Sequence, residues 1–575
     1  MSIGSHPFNS TFDKLNIQPM KNFVQIKRIK RIALIFVCGM VLCDCYSQVA
    51  PAIAWQNTIG GTLFDVLTSI QQTADDGYIL GGYSTSDSSG DKTENSNGSI
   101  DYWIVKTDSA GNIQWQNTIG GSNDDYLYSI EQTNDGGYIL GGVSNSNISG
   151  DKTENCMGTG DYWIVKTDAS GNIQWENTIG GDDADLLQSV RQTNDGGYIL
   201  AGSSISGISG DKTENPVGLM DYWIVKTDAS GNIQWQNTLG GSSTDYSWFI
   251  EQTSDGGYIV GGYSNSNTSG DKTENCIGAF DYWIVKTDSI GNIQWQNTIG
   301  GSDNDMLRCI HQTADGGYIF GGTSASNISG DKTENNNGMS DYWIVKTDGS
   351  GNIQWENTIG GTDEDNFFIV QQTSDGGYII GGYSRSDISG DKTEQSLGNE
   401  DYWIVKTNNT GNIQWQNTIG GNSPDYIYAM QQTSDGGYIL AGPSSSIISG
   451  DKTENCIGSA DYWIVKLLPD TITSVSNLQS SPFNLQLFPN PCASGGTIRL
   501  TLPVRQAGIS TKHNAPLECE IISMIGQKVF TSSAPLAPKG ESAHTEIDVS
   551  FLAKGIYVVR VGDGERFENR KLVIE

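Results

Sequence analysis

A sixty-residue unit repeats along most of this chain, and it limits the possible folds more than any other feature. The most constant part of the unit is DYWIVK, which begins at Asp101, Asp161, Asp221, Asp281, Asp341, Asp401 and Asp461 with no insertion or deletion between copies. A fixed period of this length is typical of repeat architectures, in which each copy is one supersecondary unit packed on the next.

Each copy has the pattern of four β-strands. In the copy at 122–181 the strand-like segments are Asp125–Thr133, Tyr138–Ser144, Asp161–Thr167 and Asn172–Ile179. The first two are joined by Asn-Asp-Gly-Gly, which suits a hairpin turn, and the second and third by a long polar loop. Few stretches show a helical period, so the chain is predicted to be all-β.

The ends of the array indicate a closed ring. Four-stranded sheets arranged radially cover one another's faces and leave no long free edge. The array opens with a lone fourth strand at Ile53–Gly61 and ends with a third strand at Asp461–Lys466. We therefore predict a seven-bladed β-propeller whose N-terminal strand completes the last blade. An open solenoid is the alternative, although no capping unit is visible.

The N-terminal segment has the pattern of a secretory signal peptide. A basic stretch at 21–31 precedes a twelve-residue apolar run at 32–43 and a cleavage site before Gln48. The run is too short to span a bilayer comfortably, so no transmembrane segment is expected in the mature chain. Met20 is the expected start. A lipoprotein is the weaker alternative, because no small residue precedes the leader cysteines.

The leader, the repeat array and the change in composition after it predict the domain organisation. The leader covers 1–47, the propeller 48–467, a polar linker 468–481 and a small Ig-like β-sandwich 482–575.

Charge and cysteine usage narrow the class of function. The net charge is −33, and residues 48–469 alone carry −37, because the leader adds +4 and residues 470–575 are neutral. A surface this acidic repels nucleic acid and anionic membranes and attracts cations. The nine cysteines are not spaced as a disulfide framework, although Cys492 and Cys519 share one domain and could pair.

The repeat segments GGSNDDYLYSIEQTNDGGYILGG and DYWIVKTDASGNIQWENTIGG resemble the secreted β-propeller repeats of Bacteroidetes surface proteins. The resemblance covers 53–467. It implies the propeller fold and says almost nothing about activity.

The last ninety residues resemble the type A C-terminal sorting domain of the type IX secretion system. FPNP at 488–491, IGQKV at 525–529, LAKGIY at 552–557 and KLV at 571–573 match its motifs, whereas CASGG at 492–496 and a long insertion at 503–516 depart from them. The matching residues include Pro489, Asn490, Pro491, Gly526, Gly555, Tyr557 and Lys571. The resemblance implies export across both membranes by the type IX machinery and its sortase, to the cell surface or the medium. An adhesive Ig-like module is the alternative.

One feature of the repeat suggests calcium. The loop before the third strand always contains GDKTE, and its oxygen donors could bind Ca²⁺, although their spacing is not that of an EF-hand. The candidate ligands in the first two copies are Asp91, Glu94, Asp101, Asp151, Glu154 and Asp161. A second recurring acid, Asp65 and its equivalents, precedes the innermost strand. The alternative for both is structural, as caps of backbone groups in loops and turns.

The innermost strand is where the copies differ most, as expected for a solvated channel or an individualised pocket. The candidate ligand-binding residues are Gln71, Glu131, Arg191, Trp248, Glu251, His311, Gln371 and Gln431. Cys309 and His311 are two residues apart and would share one side of the strand, which makes a Cys–His nucleophile a further hypothesis.

No catalytic motif is visible, and symmetric copies argue against an active site built from different groups. We therefore expect a monomeric, non-enzymatic binding or display scaffold for an extracellular glycan or protein. The alternative is a glycan-active hydrolase or lyase that uses carboxylates on the loop face or in the channel.

Overall fold

The computed structural model describes residues 47–473 and, beyond them, 486–488, 497–502, 517–523, 528–534, 543–549, 552, 555–562 and 567–574. Every regular element in these ranges is a β-strand, and they contain no helix long and apolar enough to cross a membrane.

Seven four-stranded antiparallel sheets follow one another along the chain after two short opening strands, β1 (Ser47–Val49) and β2 (Ile53–Ile59). Blade 1 consists of β3 (Asp65–Gln72), β4 (Tyr78–Ser84), β5 (Asp101–Thr107) and β6 (Ile113–Ile119); blade 2 of β7 (Asp125–Gln132), β8 (Tyr138–Ser144), β9 (Asp161–Thr167) and β10 (Ile173–Ile179); and blade 3 of β11 (Asp185–Gln192), β12 (Tyr198–Ser204), β13 (Asp221–Thr227) and β14 (Ile233–Leu239). Blade 4 consists of β15 (Asp245–Gln252), β16 (Tyr258–Ser264), β17 (Asp281–Thr287) and β18 (Ile293–Ile299); blade 5 of β19 (Asp305–Gln312), β20 (Tyr318–Ser324), β21 (Asp341–Thr347) and β22 (Ile353–Ile359); and blade 6 of β23 (Asp365–Gln372), β24 (Tyr378–Ser384), β25 (Asp401–Thr407) and β26 (Ile413–Ile419). Blade 7 consists of β27 (Ala429–Gln432), β28 (Tyr438–Ser444), β29 (Asp461–Leu467) and the N-terminal strand β2.

The ring closes as predicted, because β2 supplies the outer strand of blade 7. In this pairing Trp55 lies opposite Lys466 and Ile59 opposite Tyr462. The innermost strand of each blade touches the innermost strand of the next, and β27 touches β3 to complete the circle. The seven-bladed propeller is therefore confirmed, and the open solenoid is excluded.

Blade 7 has the shortest innermost strand, with four residues against eight in the other blades. Pro443 stands in the neighbouring strand β28, opposite the region where β27 would begin. A proline has no N–H to donate to a strand ladder, so the regular pairing is interrupted there.

Aromatic pairs hold neighbouring blades together. The Tyr102 ring packs against the Trp163 ring of the next blade at 4.8 Å between centroids, and its hydroxyl donates to the Trp163 carbonyl at 3.1 Å. The same pair recurs at every blade junction, and Tyr462 with Trp103 forms the closing one. The third-strand tryptophans are fully buried, so their rings fill the space between blades.

Beyond the propeller, Thr471–Thr473 form a short strand, β30, which pairs with β1. These residues lie in the segment predicted as a linker. Just before them the Asp470 carboxylate accepts hydrogen bonds from Trp415 Nε1 at 3.0 Å and the Tyr438 hydroxyl at 2.8 Å. The start of the segment is therefore fastened to blades 6 and 7.

The C-terminal part contains two antiparallel sheets. The first is formed by β31 (Gln486–Phe488), β32 (Thr497–Leu502) and β35 (Ala543–Asp548), and the second by β33 (Leu517–Ser523), β34 (Lys528–Ala534), β36 (Gly555–Gly562) and β37 (Phe567–Ile574). Two sheets are what a β-sandwich requires. The Ig-like arrangement itself and the domain boundaries stay predictions.

Candidate functional site

A cavity of about 560 Å³ lies where the innermost strands of all seven blades meet. Its lining residues come from 68–71, 128–131, 188–191, 248–249, 308–311, 368–371 and 428–431, with Tyr83 added from β4. This volume is within the range of small-molecule sites, which are about 300–1,000 Å³. The cavity is therefore the candidate ligand site.

In blades 1 to 6, a β-bulge in the innermost strand aims one residue at the cavity. In blade 1 the register with β4 shifts between Leu67 and Ser69, and the same shift occurs in blades 2 to 6. A bulge bends its strand and redirects a side chain. The residues at the shift, with their equivalent in blade 7, are Thr68, Tyr128, Gln188, Trp248, Arg308, Phe368 and Tyr428, and all of them line the cavity.

The structure brings the predicted ligand-binding residues together. Gln71, Glu131, Arg191, Trp248, His311, Gln371 and Gln431 line the cavity, and Glu251 contacts His311 beside it. Five of the eight also link blades, because a side-chain oxygen accepts the backbone N–H of the next blade. Gln371 Oε1, for example, accepts from Gln432 N at 2.8 Å, and Glu131 Oε2 from Gln192 N at 3.0 Å. These contacts fix the side chains, and a ligand-binding role for them stays a prediction.

Arg191 and His311 depart from this linking pattern. Arg191 Nη1 donates to Ser129 Oγ and the Val190 carbonyl, each at 3.1 Å. Burial raises the pKa of Glu131, and the positive charge of Arg191 partly offsets that rise. The repeat position of Arg191 and His311 therefore holds a basic side chain in blades 3 and 5, whereas the other five blades have glutamine or glutamate there.

His311 forms a polar cluster with Glu251 and Cys309. His311 Nδ1 lies 2.8 Å from Glu251 Oε2. Burial opposes protonation of His311, but the neighbouring Cys309 and Glu251 outweigh it and raise the pKa of His311 to about 10. Glu251 is a third group that the sequence did not identify for the Cys–His hypothesis. Cys309 itself is only 1% exposed, and its sulfur lies 3.6 Å from the Val370 carbonyl of the next blade. The nucleophile stays a hypothesis.

Arg308 is a cavity residue that the sequence analysis missed. Its guanidinium carbon lies 3.9 Å from the centroid of the Trp248 ring and 5.3 Å from that of Phe368. The three residues occupy the same repeat position in blades 4, 5 and 6. The one available signal was their variation at a single position three residues after the recurring aspartate.

The candidate calcium ligands are engaged with backbone N–H groups. Asp91 Oδ2 accepts from Gly60 N at 3.3 Å, Asp151 Oδ2 from Gly120 N at 3.1 Å, Glu94 Oε2 from Thr118 N at 2.6 Å and Glu154 Oε2 from Thr178 N at 2.8 Å. Asp101 and Asp161 cap their own loop at Asn97 N and Met157 N, each at 2.5 Å.

Among the described residues, no three His, Cys, Asp or Glu side chains converge as a metal ion requires. The carboxylates of the GDKTE loops thus have a structural use, and calcium binding by them stays a prediction.

The second recurring acid also caps a turn. Asp65 Oδ2 accepts from Gly61 N at 2.6 Å and from the Ser86 hydroxyl at 3.2 Å, which fixes the connection from blade 7 to blade 1. Burial raises the pKa of Asp65, although these hydrogen bonds oppose the rise. The acids on the loop face are therefore built into the blade junctions.

The predicted sorting residues are described only in part. Gly555 and Tyr557 lie in β36 and pair with Ile574 and Leu572, and Lys571 lies opposite Val558. The remaining ones, Pro489, Asn490, Pro491 and Gly526, lie outside the described residues, as do residues 1–46 of the leader and Cys492.

Comparison with known families identifies the C-terminal part. Residues 486–575 match the secretion system C-terminal sorting domain. The chain is thus a β-propeller followed by a type IX sorting domain, and that domain indicates export by the type IX system to the cell surface or the extracellular space. The sorting domain predicted from the motifs is confirmed.

One protein of known name is distantly similar to this chain. The regulatory protein FlaEY of Caulobacter vibrioides is 22% identical over 404 residues, which cover 64% of this chain and 41% of that protein. The match therefore spans less than half of the relative.

Among solved structures, puromycin hydrolase is similar with 10% identity and a TM-score of 0.40, covering 81% of this chain and 64% of its own. A member of the DUF4221 family from Bacteroides vulgatus has 8% identity and a TM-score of 0.31, covering 62% of this chain and 94% of its own. Likenesses this distant bear on neither ligand nor activity.

Proposed function

We propose that this exported propeller is a binding protein that holds an extracellular glycan in its axial cavity without transforming it. The observation that carries the proposal is the contrast between the cavity and the rest of the repeat. The DYWIVK strand is identical in all seven copies, whereas the seven residues at the bulge are Thr, Tyr, Gln, Trp, Arg, Phe and Tyr. A symmetric scaffold with an asymmetric centre supports one specific ligand rather than seven equal ones.

The chemistry of the lining supports a glycan. Tyr83, Tyr128, Trp248, Phe368 and Tyr428 contribute aromatic rings, and several glutamines contribute amides. Aromatic faces with a few fixed polar groups are typical of small-molecule sites. The rings of Phe368 and Tyr428 already stack on each other at 4.6 Å between centroids, so their faces are held in place by their neighbours.

The alternative, a glycan-active enzyme, needs a pair of carboxylates that are free to act. The loop-face acids are hydrogen-bonded at blade junctions, as described above. In the cavity region, Glu131 accepts from Gln192 N and Glu251 is bonded to His311. The acids that the alternative relied on therefore have structural partners, which favours binding over hydrolysis.

The test is a glycan array probed with the full chain, followed by calorimetry with each positive glycan. Gln188→Trp should fill part of the cavity and weaken binding at least about tenfold. Ser230→Trp, in an exposed turn of the same blade, is the matched control and should bind normally. Binding that is indifferent to Gln188→Trp would exclude the cavity as the site. Analysis of each bound glycan for cleavage products separates a binding protein from the hydrolase or lyase.

A further inference from the structure

Arg308 occupies an unusual position for a charged residue. The Trp248 and Phe368 rings contact its guanidinium group, with Trp248 at stacking distance. Stacking on the faces leaves the five N–H donors in the guanidinium plane available. These donors are what would recognise a ligand.

No acceptor for those donors is found among the described residues. The other arginines of the propeller are satisfied: Arg191 donates to Ser129 and Val190, and Arg385 to Glu364 and Glu400. Arg308, by contrast, has no carboxylate within 4.0 Å and no hydrogen bond in the described part of the chain. Burial lowers the pKa of Arg308, because a charge without a compensating partner is disfavoured where water is partly excluded. A poorly hydrated cation of this kind favours an anionic partner.

The cavity is locally positive inside a strongly acidic protein. Glu131 faces Arg191, and Glu251 faces His311, so these charges compensate in pairs. Arg308 is left as the excess charge. Because the chain carries −33 overall, an anion would be drawn to this centre only by a strong local contact.

We propose that the axial cavity recognises an acidic glycan, with Arg308 binding a carboxylate or sulfate group of the ligand and the neighbouring aromatic rings stacking on its sugar ring. This inference rests on the proposed function and adds the chemical class of the ligand. A planar guanidinium pairs with carboxylate or sulfate oxygens through two parallel hydrogen bonds, which gives orientation as well as affinity. A cavity of about 560 Å³ is far larger than a bare inorganic anion needs.

The experiment titrates the full chain with four probes: tetragalacturonate, a sulfated chondroitin tetrasaccharide, neutral cellotetraose and sodium sulfate. The two acidic oligosaccharides distinguish a carboxylate from a sulfate ester as the anchoring group. We expect one of them to bind, cellotetraose to bind at least about tenfold more weakly, and affinity to fall as salt is raised.

Arg308→Gln should weaken binding of the acidic probe by about tenfold or more. Arg308→Lys keeps the charge but loses the planar fork of donors. Its affinity for the acidic probe should therefore lie between that of the parent chain and that of Arg308→Gln. The control is Arg385→Gln, which removes the same charge from a surface ion pair and should leave binding unchanged. Gln188 occupies the position of Arg308 in blade 3, so this site in the repeat accommodates glutamine. Circular dichroism and a melting curve confirm folding of each variant.

The outcomes separate the two proposals. If a neutral glycan binds as well as the acidic one and Arg308→Gln has no effect, while Gln188→Trp still abolishes binding, Arg308 does not select an anion but the cavity remains the site. Failure of both acidic probes to bind also overturns the anion proposal. Binding that survives Gln188→Trp overturns both.

Discussion

The hydroxyl of Tyr462 donates a hydrogen bond to the main-chain carbonyl of Trp103 at 3.0 Å, across the junction between the last blade and the first. The two residues are 359 positions apart in sequence, yet their contact repeats the one between Tyr282 and Trp343 at an ordinary junction, also at 3.0 Å. In this contact the closing junction is therefore equivalent to the internal ones, although it joins the last blade of the chain to the first.

This equivalence predicts equal costs for matched substitutions. Tyr462→Phe and Tyr282→Phe each remove one buried hydroxyl and leave a buried carbonyl without its partner, which costs about 1–2 kcal/mol. Urea denaturation of the two variants should give the same loss within about 0.5 kcal/mol. A much larger loss, or a separate early transition, for Tyr462→Phe alone would mean that the ring opens at its closing blade.

Adjacent glycines in the second strand should differ sharply in their tolerance of alanine. A Cβ on Gly142 would lie 1.9 Å from the Tyr126 carbonyl oxygen, which is main chain. A Cβ on Gly141 would meet the Val190 side chain at 2.7 Å, and a side chain can shift.

We therefore expect Gly141→Ala to cost less than about 2 kcal/mol and Gly142→Ala more than about 3 kcal/mol, measured by denaturation. The chain offers a precedent, since Ala201 and Ala441 occupy the position of Gly141 and are buried. Equal costs for the two would contradict the role assigned to the main-chain contact.

Much of the fold followed from the repeat alone. The segments predicted for the copy at 122–181 differ from the observed strands by one residue at two ends, because alternation and turn residues define each strand locally. The closing of the ring followed from the ends of the array, because it opens with a lone fourth strand and ends with a third strand that lacks its fourth.

The candidate site was harder to predict, because its geometry depends on the neighbouring blades. The bulge that presents Arg308 carries no glycine or other local signal, so its effect appears only in the register with β20. The loop carboxylates were candidate calcium ligands because their N–H partners, such as Gly60 for Asp91, are distant in sequence. Composition shows that acids are present but does not show which groups they satisfy.

A strained turn in blade 1 predicts a stabilising substitution. Asp76 has φ of 63°, whereas the equivalent residue in the other blades is a glycine such as Gly136 with φ of 83°. The left-handed region disfavours residues that carry a Cβ by about 1 kcal/mol or more. Asp76→Gly should therefore raise the free energy of unfolding by about 0.5–1 kcal/mol, after allowing for the greater freedom of glycine in the unfolded chain.

Gly136→Asp is the reverse change in blade 2 and should lower the stability by a similar amount. The hydrogen bond from the Ser434 hydroxyl to Asp76, at 3.1 Å, is exposed and would offset little of the gain. A loss of stability in Asp76→Gly would show that this contact outweighs the backbone strain.

Buried aspartates at the blade junctions should make the propeller more stable in mild acid than in base. Asp341 of blade 5 and Asp365 of blade 6 are both fully buried, and each has an Oδ1 atom with no hydrogen-bond partner. Burial, and then the charge of Asp365, raise the pKa of Asp341 to about 7 from an ordinary value of 3.8. Because the folded-state pKa is the higher one, the stabilisation is fully present below pH 3.8 and is lost as the pH rises through about 7. The temperature at the midpoint of thermal unfolding should therefore decrease as the pH is raised from 5 to 8.

Asp341→Asn tests this origin of the pH dependence directly. Asparagine keeps the oxygen that accepts from Asn337 N and places an amide where Asp341 Oδ1 faces no donor. The variant should be more stable than the parent chain at pH 8, and its unfolding midpoint should change less between pH 5 and pH 8. The control is Asp348→Asn in an exposed turn of the same blade, a position where blade 6 naturally has Asn408. This control removes the same charge without touching the buried pair, so it should leave the slope nearly unchanged. Equal slopes in all three proteins would assign the pH dependence to the overall negative charge instead of the junction aspartates.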